Sequence, residues 1–143
     1  MLLYAVAFGI GIVLAVHLTM NSVVGTMMGS ARAANAIFWT VGAAAAVLIW
    51  LLGPQRGLMS NAKCVPSWLW VAGAIGASLV FGIAALIPKL GARSVFVLTV
   101  AGQVLASAWI AHVGFLGSPQ KELTSVNLVG IAIMLSGVYL ATK

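Results

Sequence analysis

Two sets of polar side chains interrupt runs that are otherwise apolar. His17 and Asn21 stand four residues apart, with Gly25 four further on, a spacing that puts them on one face of a helix. Thr99, Gln103 and Ser107 repeat at the same interval, so one helical face presents hydroxyl, amide and hydroxyl in turn. At membrane depth such side chains normally face a bundle interior or a water-filled cavity, where they can hydrogen-bond a solute. His17, Asn21, Thr99, Gln103 and Ser107 are therefore the candidate substrate-binding residues. A second reading stays open for them, because Ser, Thr, Asn and Gln also bond across helices and hold a bundle together with no solute involved.

His17 is the only ionisable side chain well inside one of these runs. Imidazole ordinarily exchanges protons near neutrality, so proton coupling is one use for it; a neutral, hydrogen-bonded interior histidine is the other. His112 falls at the end of a run and reads as interfacial. Thioethers suit Cu(I), and His17, Met20, Met27 and Met28 lie near one another in sequence, but methionines are common in lipid-facing helices, so neither metal nor cofactor is expected. The single cysteine, Cys64, has no second thiol for a disulfide or a ligand pair. With no nucleophile beside a base and no carboxylate dyad at membrane depth, an enzyme is not expected.

The elements that must position these residues follow from composition. Of 143 residues, 63% are hydrophobic and 6% charged, and the mean hydropathy is +1.18. A water-soluble domain carries about a quarter charged residues and is excluded. Five apolar runs cover about Leu2 to Met28, Ala33 to Leu52, Ser67 to Ile87, Ser94 to Val113 and Val126 to Ala141. A membrane-spanning helix needs about 20 apolar residues, and a backbone without water must satisfy its own hydrogen bonds. Sustained apolar/polar alternation, the mark of a membrane barrel, is missing. The fold class expected is an all-α integral membrane protein with five transmembrane helices in a single domain, residues 1–143.

Breakers set the limits of the runs. Gly53-Pro54 and Pro66 bracket the longest loop, Pro88 to Arg93 reads as a tight basic turn, and Gly114 to Thr124 forms the other polar connection. Trp68 and Trp70 lie just inside a boundary, where aromatic rings favour the membrane interface. The amino terminus has no basic region of the kind that opens a signal peptide, so the first run is read as a membrane helix.

Seven Lys and Arg face one acid, Glu122. They are scattered singly, without the stripe a nucleic acid would need. Five helices place Arg56, Lys63 and Lys121 on one side and Arg32, Lys89, Arg93 and Lys143 on the other, three against four. The positive-inside rule acts on that difference, and a margin of one specifies almost no orientation. The chain then either inserts both ways and forms an antiparallel homodimer, or takes its orientation from a homologous partner subunit; insertion in one direction set by the first helix is the third possibility. An antiparallel pair would make a ten-helix inverted repeat, a common transporter construction with its substrate site near the midplane. Small residues at Gly73-x-x-x-Ala77, Ser78-x-x-x-Gly82 and Gly130 with Gly137 permit close helix approach, between copies or within one.

The stretch Pro88-Lys89-Leu90-Gly91-Ala92, then Ala101-Gly102-Gln103-Val104-Leu105-Ala106-Ser107, then His112-x-Gly114-x-x-Gly117, resembles the signature of the YdcZ-type family. Asn21, Gly29-Ser30, Gly42 and the Ser136-Gly137-Val138-Tyr139-Leu140 ending extend the resemblance over nearly the whole chain. The resemblance implies a five-helix member of the drug/metabolite transporter superfamily in the bacterial inner membrane. It also implies an exporter that must pair to reproduce the ten-helix architecture of longer relatives. Two departures stand out: relatives often carry Gln where His17 stands, and an acid where Ala111 precedes His112.

No Asp or Glu lies in any of the five runs, unlike the four-helix multidrug exporters of the same superfamily, which use a membrane-embedded glutamate. Cationic solutes thus lose their obvious counter-ion, and neutral or anionic ones fit better. The expected function is export of a small organic solute by alternating access. The alternative is a non-transporting helper subunit that stabilises or orients a larger membrane complex. The expected contrast is that a transporter turns Asn21 and Gln103 toward one cavity, whereas a helper satisfies its polar residues within packed seams.

Overall fold

A computed structural model of the chain describes residues 1–53 and 62–143; Arg56 and most of the longest loop lie outside them. Among the described residues the architecture is helical, without strands. The long helices are α1 (Leu2–Met27), α2 (Ala31–Leu52), α3 (Val71–Leu90), α4 (Ala92–Val113) and α5 (Ser125–Thr142). A 3-10 turn at Ser67–Trp70 leads into α3, and another at Phe115–Gly117 follows α4. Each of the five is long and apolar enough to cross a membrane. The chain divides into two compact units, Met1–Lys89 and Leu90–Lys143.

In the first unit α1 and α2 form a hairpin. The carbonyls that a helix leaves unpaired at its end are taken up locally: Met28 N donates to Val24 O, Gly29 N to Thr26 O and Ser30 N to Gly25 O at 2.9, 3.1 and 3.0 Å. Gly29 turns the chain with a φ of +63, a conformation glycine adopts without steric penalty. Ser30 caps α2, its hydroxyl accepting from Ala33 N at 3.2 Å. The cap starts α2 at Ala31, ahead of the apolar pattern, so Arg32 sits in the first helical turn rather than before it. Gly25 is buried, and a Cβ there would lie 3.2 Å from Ala31 Cα; the two backbones approach as closely as they do because there is no side chain between them.

Helix α3 joins this unit through Asn35, whose Nδ2 donates to Ala77 O at 3.3 Å, and through Trp39, whose ring lies 3.6 Å from where a Gly76 Cβ would be. The turn expected over Pro88 to Arg93 is shorter than the sequence implied. Helix α3 continues through Pro88 to Leu90, and Gly91 alone, at φ +79, separates it from α4. A proline's fixed φ is compatible with helix, though here it forgoes the bond an N–H would give to the carbonyl four residues back; the break between the helices is one glycine.

The second unit is the α4–α5 hairpin. Its polar connection folds back on the end of α4. Gly114 caps the helix through Ile110 O, Lys121 N donates to Ala111 O at 2.8 Å, and Gln120 Nε2 donates to His112 O at 3.1 Å. The ring of His112, exposed in the last turn of α4, accepts from Leu123 N through Nδ1 at 3.4 Å. Thr124 and Asn127 form a reciprocal capping box that starts α5. Most large apolar side chains, such as Phe8, Ile49, Val126 and Leu140, face outward, the surface a lipid phase would cover.

Candidate functional site

Helix α1 carries His17 and Asn21 toward α2. Asn21 is only 1% exposed, and neither Oδ1 nor Nδ2 of its carboxamide has a hydrogen-bond partner. His17, half-buried, is unpartnered at Nδ1; its ring meets that of Phe38 edge-on, with centroids 4.8 Å apart. Asn35 on α2, engaged through Nδ2 with Ala77, leaves Oδ1 buried and unpartnered. These residues share one register. Gly25 touches Ala31 and His17 touches Phe38, so Asn21, midway between Gly25 and His17, falls at the level of Ala34 and Asn35 on the facing helix.

Depth follows from helix geometry. Asn21 and His17 precede the Gly29 turn by about 12 and 18 Å of helix rise, and half a hydrocarbon core is about 15 Å. Measured from that turn, His17 and Asn21 thus lie about half a hydrocarbon core's length along α1. An unsatisfied buried donor or acceptor costs about 1–3 kcal/mol, and the described residues of this unit hold four such atoms.

Of these residues only His17 borders a half-open cavity of about 690 Å³ within the first unit, whose wall also includes Ile37, Phe38, Trp39, Gly42 and Val80; Asn21 and Asn35 do not line it. His17 is the only ionisable side chain in that wall. Among the described residues no group of three His, Cys, Asp or Glu is placed to hold a metal ion.

The α4 stripe behaves differently. Thr99 Oγ1 donates to Val95 O at 2.7 Å and Ser107 Oγ to Val104 O at 3.0 Å, so both hydroxyls are satisfied by their own helix. Gln103, between them, is exposed. Ser107 also borders a groove of about 560 Å³ between α4 and α5 that ends at Lys121 and Glu122; Thr99 and Gln103 do not line it.

The sequence reading passed over Asn35, Phe38 and Trp39. The sequence carried half the signal for Asn35: it is a carboxamide inside an apolar run, five residues past the Gly29-Ser30 turn that Asn21 precedes by eight, so only the hairpin register pairs the two. Phe38 and Trp39 carried no such mark among many apolar neighbours.

The family described as "Putative inner membrane exporter, YdcZ" matches residues 2–140. The chain belongs to the YdcZ family. The described helices agree with that membership, and together they make this a multi-pass inner-membrane protein. A membrane transporter, in the general sense, is the role that the family description assigns. Comparison with curated proteins and with solved structures finds no match. In this YdcZ-family chain the unpartnered polar atoms of α1 and α2 are the local feature that pairing within the helices leaves unexplained.

Proposed function

We propose that the protein exports a small organic solute by alternating access, as one half of an antiparallel ten-helix pair formed with a second copy or a homologous subunit. The observation that carries this reading is the Asn21 carboxamide, sealed in the α1–α2 hairpin with neither of its polar atoms bonded. Packing glue needs a partner for such a group; a solute site needs the group available. Asn21, His17 and Gln103 are the primary solute contacts. Thr99 and Ser107, whose protons go to their own helix, contribute oxygen lone pairs.

Pairing is supported by the three-to-four split of basic residues. Gly130 and Gly137, at which a Cβ would meet nothing within 4 Å, leave room for a second chain to approach. Transport without a buried carboxylate suits a neutral or anionic solute, and His17 is the side chain available for proton coupling.

The test begins with a solute screen by thermal stabilisation of purified protein, since a ligand that prefers the folded state raises its apparent stability. In proteoliposomes loaded with the solute so found, Asn21→Ala and Gln103→Ala each abolish flux and leave dimer assembly intact; unchanged flux in both sinks the site assignment. If His17 couples protons, His17→Gln loses the pH dependence of transport that the parent shows. Cys64, exposed in the longest loop, reports orientation: an impermeant thiol reagent labels about half of a dual-topology population, as near-balanced flanking charge predicts. Labelling of all or none shows a fixed orientation, set by a partner subunit or by the first helix.

A further inference from the structure

We propose that the cavity beside His17 binds an uncharged, largely aromatic solute bearing one hydrogen-bonding group, and that His17 reads that group. This deepens the transport reading by naming its solute class and rests on that reading only for the cavity's part in transport. A volume of about 690 Å³ matches sites for organic molecules of two to several rings. Phe38 and Trp39 give the wall aromatic faces, on which a ring packs offset or edge-on, and Ile37 and Val80 are aliphatic.

Charge is excluded by the same wall. It contains no Asp, Glu, Lys or Arg, and an ion placed there without a partner loses its hydration uncompensated. The one specific feature is the imidazole. Its ring meets Phe38 edge-on, and Nδ1 is buried without a partner; Nε2 is the nitrogen assigned to the ligand. A neutral imidazole nitrogen donates or accepts according to tautomer, so a hydroxyl on the solute satisfies either form. A lipid acyl chain fills the same space but offers nothing to Nε2.

Gly42 supplies a clean handle. It lines the cavity, and a Cβ built on it meets nothing within 4 Å, so a larger side chain enters empty space rather than packed neighbours. Binding is measured by equilibrium dialysis of the full-length protein in micelles against protein-free micelles, with 2-naphthol, its near-isostere 2-methylnaphthalene and the anion 2-naphthoate as probes. The expected result is that 2-naphthol binds roughly three- to tenfold more tightly than 2-methylnaphthalene, the worth of one neutral hydrogen bond, and that 2-naphthoate does not bind. His17→Leu erases the preference for the hydroxyl while 2-methylnaphthalene still binds. Gly42→Phe, with unchanged helical circular dichroism, loses both ligands.

Equal affinity for 2-naphthol and 2-methylnaphthalene in the parent overturns the proposal in favour of an apolar slot filled by lipid. Binding of 2-naphthoate as tight as that of 2-naphthol overturns it, as does 2-naphthol binding that survives both substitutions. The transport reading fails separately. If 2-naphthol binds as stated but proteoliposomes carry no solute that the protein binds, the solute class stands and transport falls; if another solute is carried and 2-naphthol does not bind, the class falls and transport stands.

Discussion

In Met1–Lys89 the carboxamide of Asn21 and single atoms of His17 and Asn35 are buried without partners, whereas in Leu90–Lys143 the polar side chains with described contacts close short local loops. Thr99, Ser107, Ser136 and Thr142 donate to carbonyls three or four residues back, and Gln120, His112, Thr124 and Asn127 tie the α4–α5 connection. The difference lies in side-chain reach. A hydroxyl folds back on its own helix, and Thr19, Thr26, Thr40 and Ser78 do so in the first unit as well. A carboxamide or imidazole in mid-helix must find its partner on another helix, in water or in a ligand. In a membrane helix, then, a polar residue points to function when its bonding capacity is left over, and position alone does not establish it.

Substitutions sharpen that contrast. Gly25→Val forces a side chain against the Ala31 backbone, opens the hairpin that seals Asn21 and costs about 2–3 kcal/mol, read by thermal unfolding in detergent; solute binding falls with it. Thr124→Ala removes a cap from the second unit and costs about 1 kcal/mol, with binding of 2-naphthol unchanged, because the loss is confined to architecture. Thr99→Val keeps the shape and discards a hydroxyl that serves its own helix, so unfolding shifts by less than about 0.5 kcal/mol. A large loss of stability in Thr99→Val breaks the contrast, since it shows that residue bonded elsewhere.

Much of the fold was legible because lipid leaves the backbone few choices. Uninterrupted apolar runs between breakers gave the five helices, and the departures came where capping outranked hydropathy: Ser30 started α2 early and Gly91 let α3 run through Pro88. The site was half legible. Spacing put His17 and Asn21 on one face, but a single helix cannot say what it meets, so Asn35 and the Phe38 edge became visible only with the hairpin register. The same limit applied to the small-residue stripes. Among the described glycines, Gly25, rather than Gly73, Gly82, Gly130 or Gly137, is at the tight approach, a fact set by tertiary contact and invisible to a motif.

The central claim, that Asn21 is held unbonded for a ligand, is tested most directly by the thermal stability of Asn21→Leu, which keeps the branching of the side chain and removes its polar atoms. Relief of an unsatisfied buried carboxamide predicts a gain of about 1–3 kcal/mol, seen as a higher unfolding temperature, together with loss of transport. A lower unfolding temperature contradicts the account, because it means that Asn21 bonds a partner within the folded protein and serves as packing.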